Sequence, residues 1–213
     1  MLNSSAYPAG VQRANGDHSE AGIQVNHPVV VCKADGMVAD EPRRLVLLRH
    51  AKSAWPDVPD SERPLNDRGR RDAPAVGRWL QSSGYVPDVV LCSTANRTRE
   101  TWELLAPELD ADPPVRFEQR IYEASALSLL HLLREAGNGY RTVLLIGHNP
   151  GLAELAIGIA QMTDGPAGEP LERVREKFPT AAVAVLDFQG EWADLTPGEV
   201  RMTDFAFPRE LRR

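Results

Sequence analysis

Two short aliphatic runs in this chain each end in a histidine. Leu45-Val46-Leu47-Leu48 leads into Arg49-His50, and Val143-Leu144-Leu145-Ile146 leads into Gly147-His148-Asn149-Pro150. A continuous run of this kind, with no polar alternation, reads as a strand covered on both faces, as in a parallel sheet flanked by helices. In an open α/β sheet, ligands bind beyond the carboxyl ends of the strands. Both histidines are therefore expected at one rim, the first with an arginine beside it.

The rest of the chain alternates strand and helix signals. After the strand at 44–49, residues 51–65 form a loop with three prolines, and Asn66 caps a helix to Ser83 that Pro74 should kink or split. Asp88–Cys92 reads as a strand and Arg97–Leu109 as a helix. A short strand at 113–117, a helix at 125–136, a strand at 142–147 and a helix at 151–162 follow. Residues 163–179 read as loop, partly helical at 171–177, and strands at 181–188 and 199–205 would make an edge hairpin. This order implies an α/β three-layer sandwich, a mostly parallel central sheet with helices on both faces.

Residues 1–43 differ in character. They are rich in Gly, Asn, Asp, Ser and Pro, and their only apolar run is Val29–Cys32. They read as a disordered N-terminal extension to a folded domain at 44–213, and Met37 reads as a second possible start of translation. The formal net charge of -6 argues against a nucleic-acid partner, which would call for a basic footprint. Two cysteines in 213 residues provide no disulfide framework or zinc site, and no apolar run approaches a membrane span. The N-terminus lacks the basic and apolar regions of a secretory signal, so a cytoplasmic protein is expected.

The polar residues at the strand ends carry the chemistry. A neutral imidazole is a nucleophile near neutral pH, but it attacks phosphorus only where guanidinium groups offset the phosphate charge. Arg49 stands next to His50. In Ser93-Thr94-Ala95-Asn96-Arg97, Arg97 falls on the first turn of a helix, whose free N–H groups already favour anions. The plainer reading of Arg97 is a surface residue paired with Glu100 or Glu103. His148 would donate to a phosphoryl oxygen; the plainer reading is a capping or core histidine. Gly147 would let backbone approach a ligand, and Pro150 suits a first helical turn. Ser53 and Asn149 are candidate substrate contacts. Trp55 either lines the pocket mouth or anchors its loop, while Trp79, Trp102 and Trp192 read as packing residues.

Arg49, His50, Arg97 and His148 match, one by one, the phosphate pocket of the histidine phosphatase superfamily, which includes the phosphoglycerate mutases. The chain resembles that superfamily over residues 44–205, and most closely its SixA-type phosphohistidine phosphatases. The finer likeness rests on the short chain, on Ala51 after Arg-His in place of Gly, and on Glu62-Arg63-Pro64-Leu65-Asn66-Asp67-Arg68-Gly69. The resemblance implies a phosphoglycerate mutase-like fold and a nucleophilic His50 that becomes phosphohistidine. It also places Arg63 beside the phosphate. It implies no cofactor and no metal, the arginines taking the role of a magnesium ion. Ile121-Tyr122-Glu123 loosely matches the segment bearing the superfamily's general acid, which makes Glu123 the candidate; the alternative is an acid that only opens the helix at Ser125.

The expected activity is hydrolysis of a phosphomonoester or phosphohistidine, on a phosphorylated protein or a small phosphorylated metabolite, by a monomer or weak dimer. The alternatives are a sugar or nucleotide phosphatase and a weakly catalytic module that binds phosphorylated proteins. A cysteine-dependent phosphatase needs five residues between Cys and Arg; Cys92 and Arg97 are separated by four. Gly-rich nucleotide loops and a serine-hydrolase elbow are absent.

Overall fold

The computed structural model describes residues 41–162 and 165–211. The extension, Met37, Cys32 and two of the five histidines, His18 and His27, lie outside the described residues, except that Glu41 and Pro42 lead into the first strand.

Six strands form one sheet: β1 (Arg43–Arg49), β2 (Val89–Ser93), β3 (Val115–Glu118), β4 (Thr142–Gly147), β5 (Val183–Phe188) and β6 (Arg201–Ala206), in the order β3-β2-β4-β1-β5-β6. The first four in that order pair in parallel, whereas β5 and β6 are antiparallel. The sheet is thus mixed, with its parallel part around the two histidines. β5 and β6 lie side by side as expected, but twelve residues with a 3-10 turn at Trp192–Asp194 separate them instead of a tight hairpin.

The aliphatic runs are continuous because both faces of the sheet are covered. Leu45 and Leu47 of β1 join the apolar cluster formed with α3 (Ala126–Ala136), α4 (Gly151–Ile159) and α5 (Glu169–Glu176). Val46 and Leu48 point the other way, into the cluster with α1 (Asp67–Ser82) and α2 (Asn96–Leu105). All four are fully buried, each contributing about 1.5–3 kcal/mol in transfer terms. Trp102 and Trp192 are core residues, and Trp79 packs against the α1–α2 side.

Helix boundaries follow local chemistry. Asn66 caps α1 by accepting from the Gly69 N–H, and Ser125 caps α3 by accepting from that of Ser128. α1 runs unbroken through Pro74, contrary to the expected split, because the carbonyl that loses its partner belongs to solvent-exposed Arg70. α2 ends at Leu105 instead of Leu109, where Pro107 turns the chain into a 3-10 segment at Ala106–Glu108. α4 stops at Ile159, three residues short of Met162, and Ala160 turns extended to bridge Val200. In the region expected to be loop with partial helix at 171–177, a 3-10 turn at Gly165–Gly168 leads into α5 at Glu169–Glu176, as that partial helix implied, and a final short helix, α6 (Pro208–Leu211), follows β6. Among the described residues no helix is long and apolar enough to cross a membrane.

Candidate active site

Sheet order brings distant residues together. β1 and β4 run in parallel with Arg49 opposite Gly147, so His50 and His148 leave the same edge next to each other. Their ring centroids are 5.2 Å apart. β2 lies on the other side of β4 and delivers Ser93 and then the start of α2, which carries Arg97. The Arg97 guanidinium is buried and pairs with neither Glu100 nor Glu103, so the surface reading fails.

His50 is held at both ends. Its backbone N–H donates to the Gly147 carbonyl at 3.1 Å. Its ring Nδ1 lies 2.7 Å from the Ala51 carbonyl oxygen. A carbonyl only accepts, so Nδ1 carries the proton and Nε2 keeps its lone pair. The Ala51 N–H donates to Thr101 Oγ1 at 3.0 Å, and the Thr101 hydroxyl donates to the Arg97 carbonyl at 2.6 Å. One fully buried threonine thus ties the His50 turn to the helix bearing Arg97. The turn also lies against α1 at Gly69, where a Cβ would come within 2.2 Å of the Lys52 carbonyl oxygen, so only glycine fits.

Burial, assisted by the neighbouring His148, Arg97 and Arg49, lowers the His50 pKa to about 3. Burial, with Arg97 next, lowers that of His148 to about 4. Both rings are neutral across physiological pH. The unfolded chain, with histidine near 6.5, binds protons that the folded chain refuses, so stability should fall as pH drops from about 6.5 toward 4. Urea midpoints measured across that range should decline, and His50→Asn should flatten the decline; a midpoint independent of pH would contradict the buried neutral imidazoles.

The guanidiniums of Arg49 and Arg97 act directly on the pair, and Arg63 is linked to Arg97 through Asp60. Arg49 donates through Nη1 to the Phe178 carbonyl at 2.8 Å, while its buried Nε has no partner among the described residues. Burial, and then Arg97, lower its pKa. Arg63 is buried and held on three sides: Nε to the Ala54 carbonyl, Nη2 to Ser53 Oγ at 2.7 Å and Nη1 to Asp60 Oδ1 at 2.8 Å. The exposed Trp55 ring stacks on it, with Arg63 Cζ 3.2 Å from the ring centroid. Arg97 donates through Nη1 to the Asp60 carbonyl at 2.6 Å, and its Nη2 lies 3.0 Å from Asp60 Oδ2.

Asp60 is the residue that sequence reasoning missed. Its carboxylate spans Arg63 and Arg97 and accepts the Tyr122 hydroxyl at 2.8 Å. Hydrogen bonds from Arg63 and Tyr122 lead in lowering its pKa to about 2, so the carboxylate is ionised. It occupies guanidinium donors that an anionic ligand would use. The one signal in the sequence was its place three residues before Arg63, a reach that suits an i,i+3 ion pair. Tyr122 was also missed as a site residue; its ring meets His148 edge-on at 5.5 Å.

The other expected contacts are distributed unevenly. Ser53 is buried and occupied by Arg63, so it shapes the pocket through that side chain. Asn149 donates to the same Phe178 carbonyl as Arg49, and its Oδ1 is buried without a partner among the described residues. Glu123 is exposed, with a left-handed φ of 54°, and lines a cavity of about 560 Å³ together with Asp60, Arg97, His148, Asn149 and Glu154. A Cβ at Gly147 would come within 3.0 Å of Ile121 Cγ2, so the glycine also relieves a tight packing contact at the end of β4. His131 is exposed on α3. Cys92 is buried, with its thiol pKa pushed up to about 12, which is unsuited to a thiolate nucleophile.

Unpaired buried polar atoms are costly, about 1–3 kcal/mol each. Three of them, Arg49 Nε, His148 Nδ1 and Asn149 Oδ1, belong to residues at the ends of β1 and β4. That concentration, beside a lone-pair nitrogen and the guanidiniums of Arg49 and Arg97, suits a tetrahedral oxyanion attacked by an imidazole.

Comparison with known proteins points the same way. The family model described as "Histidine phosphatase superfamily (branch 1)" matches residues 45–138. An uncharacterised protein of Mycobacterium tuberculosis is 40% identical over 163 residues, spanning 76% of this chain and all of that protein. Among solved structures, the candidate phosphohistidine phosphatase SixA of Nakamurella multipartitia is similar with a TM-score of 0.68 and 31% identity, over 78% of this chain and 96% of its own. Its counterpart from Agrobacterium tumefaciens gives 0.63 and 31%, over 78% and 99%.

Proposed function

We propose that this chain, which belongs to the histidine phosphatase superfamily, is a phosphatase acting through a covalent phosphohistidine at His50. One observation carries the reading: the Ala51 carbonyl holds the proton of His50 on Nδ1 and leaves a lone pair on Nε2, beside Arg49 and Arg97. Nε2 attacks phosphorus in line, and the N–P bond forms as the bond to the leaving group breaks. Arg49, Arg63, Arg97 and His148 hold the equatorial oxygens, so positioning and charge provide most of the rate. An alkoxide leaving group takes its proton from Glu123. Water then attacks the phosphohistidine and passes a proton to the Glu123 carboxylate left by the first step; the N–P bond breaks, phosphate is released and His50 regains its lone pair.

The favoured substrate is phosphohistidine on a protein, encountered in the cytoplasm. Its support is the likeness at 31% identity to two SixA structures over nearly their whole length. The chemistry agrees with it: Glu123 is on the exposed cavity wall, bonded to neither histidine, and a phosphoramidate needs less help from an acid than a sugar phosphate does.

A panel of phosphohistidine peptide, an aryl phosphate and alkyl phosphate esters tests the choice. The peptide should be hydrolysed fastest, and Glu123→Gln should slow the alkyl esters by about 100-fold while changing the peptide rate less than about threefold. Preference for an alkyl ester, with Glu123 essential, would move the assignment to a small phosphorylated metabolite.

A further inference from the structure

Ser93 ends β2 and is fully buried beneath the His148 ring it contacts. Its carbonyl accepts the Thr98 hydroxyl at 2.8 Å, which fixes the residue against the first turn of α2. Its own hydroxyl oxygen receives the Ala95 N–H at 3.4 Å and lies 2.8 Å from His148 Nε2. His148 Nδ1, by contrast, is buried with no partner among the described residues.

The two neutral tautomers of His148 are not equivalent here. A proton on Nε2 would be donated to Ser93, and the serine's own proton would then lack an acceptor in a buried place. It would also leave a lone pair on Nδ1, which repels a phosphoryl oxygen. With the proton on Nδ1, the Ser93 hydroxyl donates to Nε2 and accepts from Ala95, and of these groups Nδ1–H alone is left over. Nδ1–H is then the donor available to the ligand.

We propose that Ser93 is a positioning residue that sets the tautomer of His148, keeping its proton on Nδ1 for the phosphoryl group. The inference rests on the phosphatase reading above for its role in turnover. The two histidines then present opposite faces to the same phosphate. His50 gives its proton to the Ala51 carbonyl and offers a lone pair; His148 has its lone pair occupied by Ser93 and offers a proton. A nucleophile and a donor come from one residue type through the choice of the neighbouring partner.

The full chain labelled with 15N in its imidazoles decides this at pH 7, where long-range 1H–15N correlations separate the tautomers. In the wild type, His148 should show protonated Nδ1 and unprotonated Nε2. Ser93→Ala should shift it toward the other tautomer and lower kcat by about 10- to 100-fold with a smaller change in KM. Ser93→Thr, which keeps the hydroxyl, should retain the wild-type correlation pattern. A wild-type His148 protonated on Nε2 overturns the proposal whether or not the variants fold, as does a Ser93→Ala protein with unchanged tautomer and kcat. Turnover retained in His50→Ala would instead remove the phosphatase mechanism, leaving the tautomer measurement to stand by itself.

Discussion

His50→Ala should lower hydrolysis of an aryl phosphate by at least about 10⁴-fold while phosphate or vanadate still binds within a few-fold of the wild-type affinity. The split follows from the geometry. On the proposed mechanism the nucleophile contributes only the lone pair on Nε2, whereas the charge that would hold the anion is on Arg49, Arg63 and Arg97, none of which is hydrogen-bonded to the His50 ring. Removing a nucleophile eliminates one chemical step, and losses of this size are typical where the remaining groups still bind. Taking away the imidazole also removes a desolvated ring from the core of the site, so the variant should resist acid slightly better than the wild type. Mass spectrometry of enzyme quenched during turnover supplies the complementary result: a phosphoryl adduct on His50 in the wild type and none in the variant. Retained turnover in purified His50→Ala would remove the covalent mechanism.

The parts of the molecule legible in the sequence are those where one segment determines its own fate. Leu45–Leu48 and Val143–Ile146 announced buried parallel strands because both faces of that part of the sheet are covered by helices. His50, His148 and Arg97 were legible because each stands immediately beyond a strand or on the first turn of a helix, where the fold class alone fixes its place at the rim. Asp60 was not. It reaches the arginines through a proline-containing loop whose course depends on Ala54 and Ser53 receiving Arg63, and no periodicity records that. Ser93 was hidden for a different reason. Its bond to His148 exists because β2 neighbours β4, and strand order is a property of the assembled sheet. The packing contact at Gly147 was not legible, because the approach of Ile121 to within 3.0 Å of where a Cβ would stand depends on how that segment meets β4. The helix ends that moved, at Leu105 and Ile159, did so where proline or a cross-chain bridge outweighed apolar spacing.

Asp60 gives the second large effect its direction. Arg97 uses Nη1 on the Asp60 carbonyl and Nη2 on its carboxylate, so the fork is already committed to an anion within the chain. In the proposed pocket an incoming phosphate must share or displace that carboxylate, and only a planar group with several donors can hold both. Arg97→Lys keeps the charge but leaves one ammonium for two anions. Phosphate inhibition should weaken by about 10- to 100-fold, the range expected when a hydrogen bond to a charged group is lost. Asp60→Asn tests the same competition from the other side. It removes the internal charge while keeping the shape, so phosphate should bind the single variant more tightly than the wild type, and should recover part of its lost affinity in Arg97→Lys/Asp60→Asn. The coupling between the two changes, read from a double-mutant cycle of inhibition constants, should be non-additive because both residues face the same ligand. Strict additivity, or an Arg97→Lys enzyme with an unchanged inhibition constant, would place Arg97 outside the phosphate pocket and make its pairing with Asp60 a structural tie.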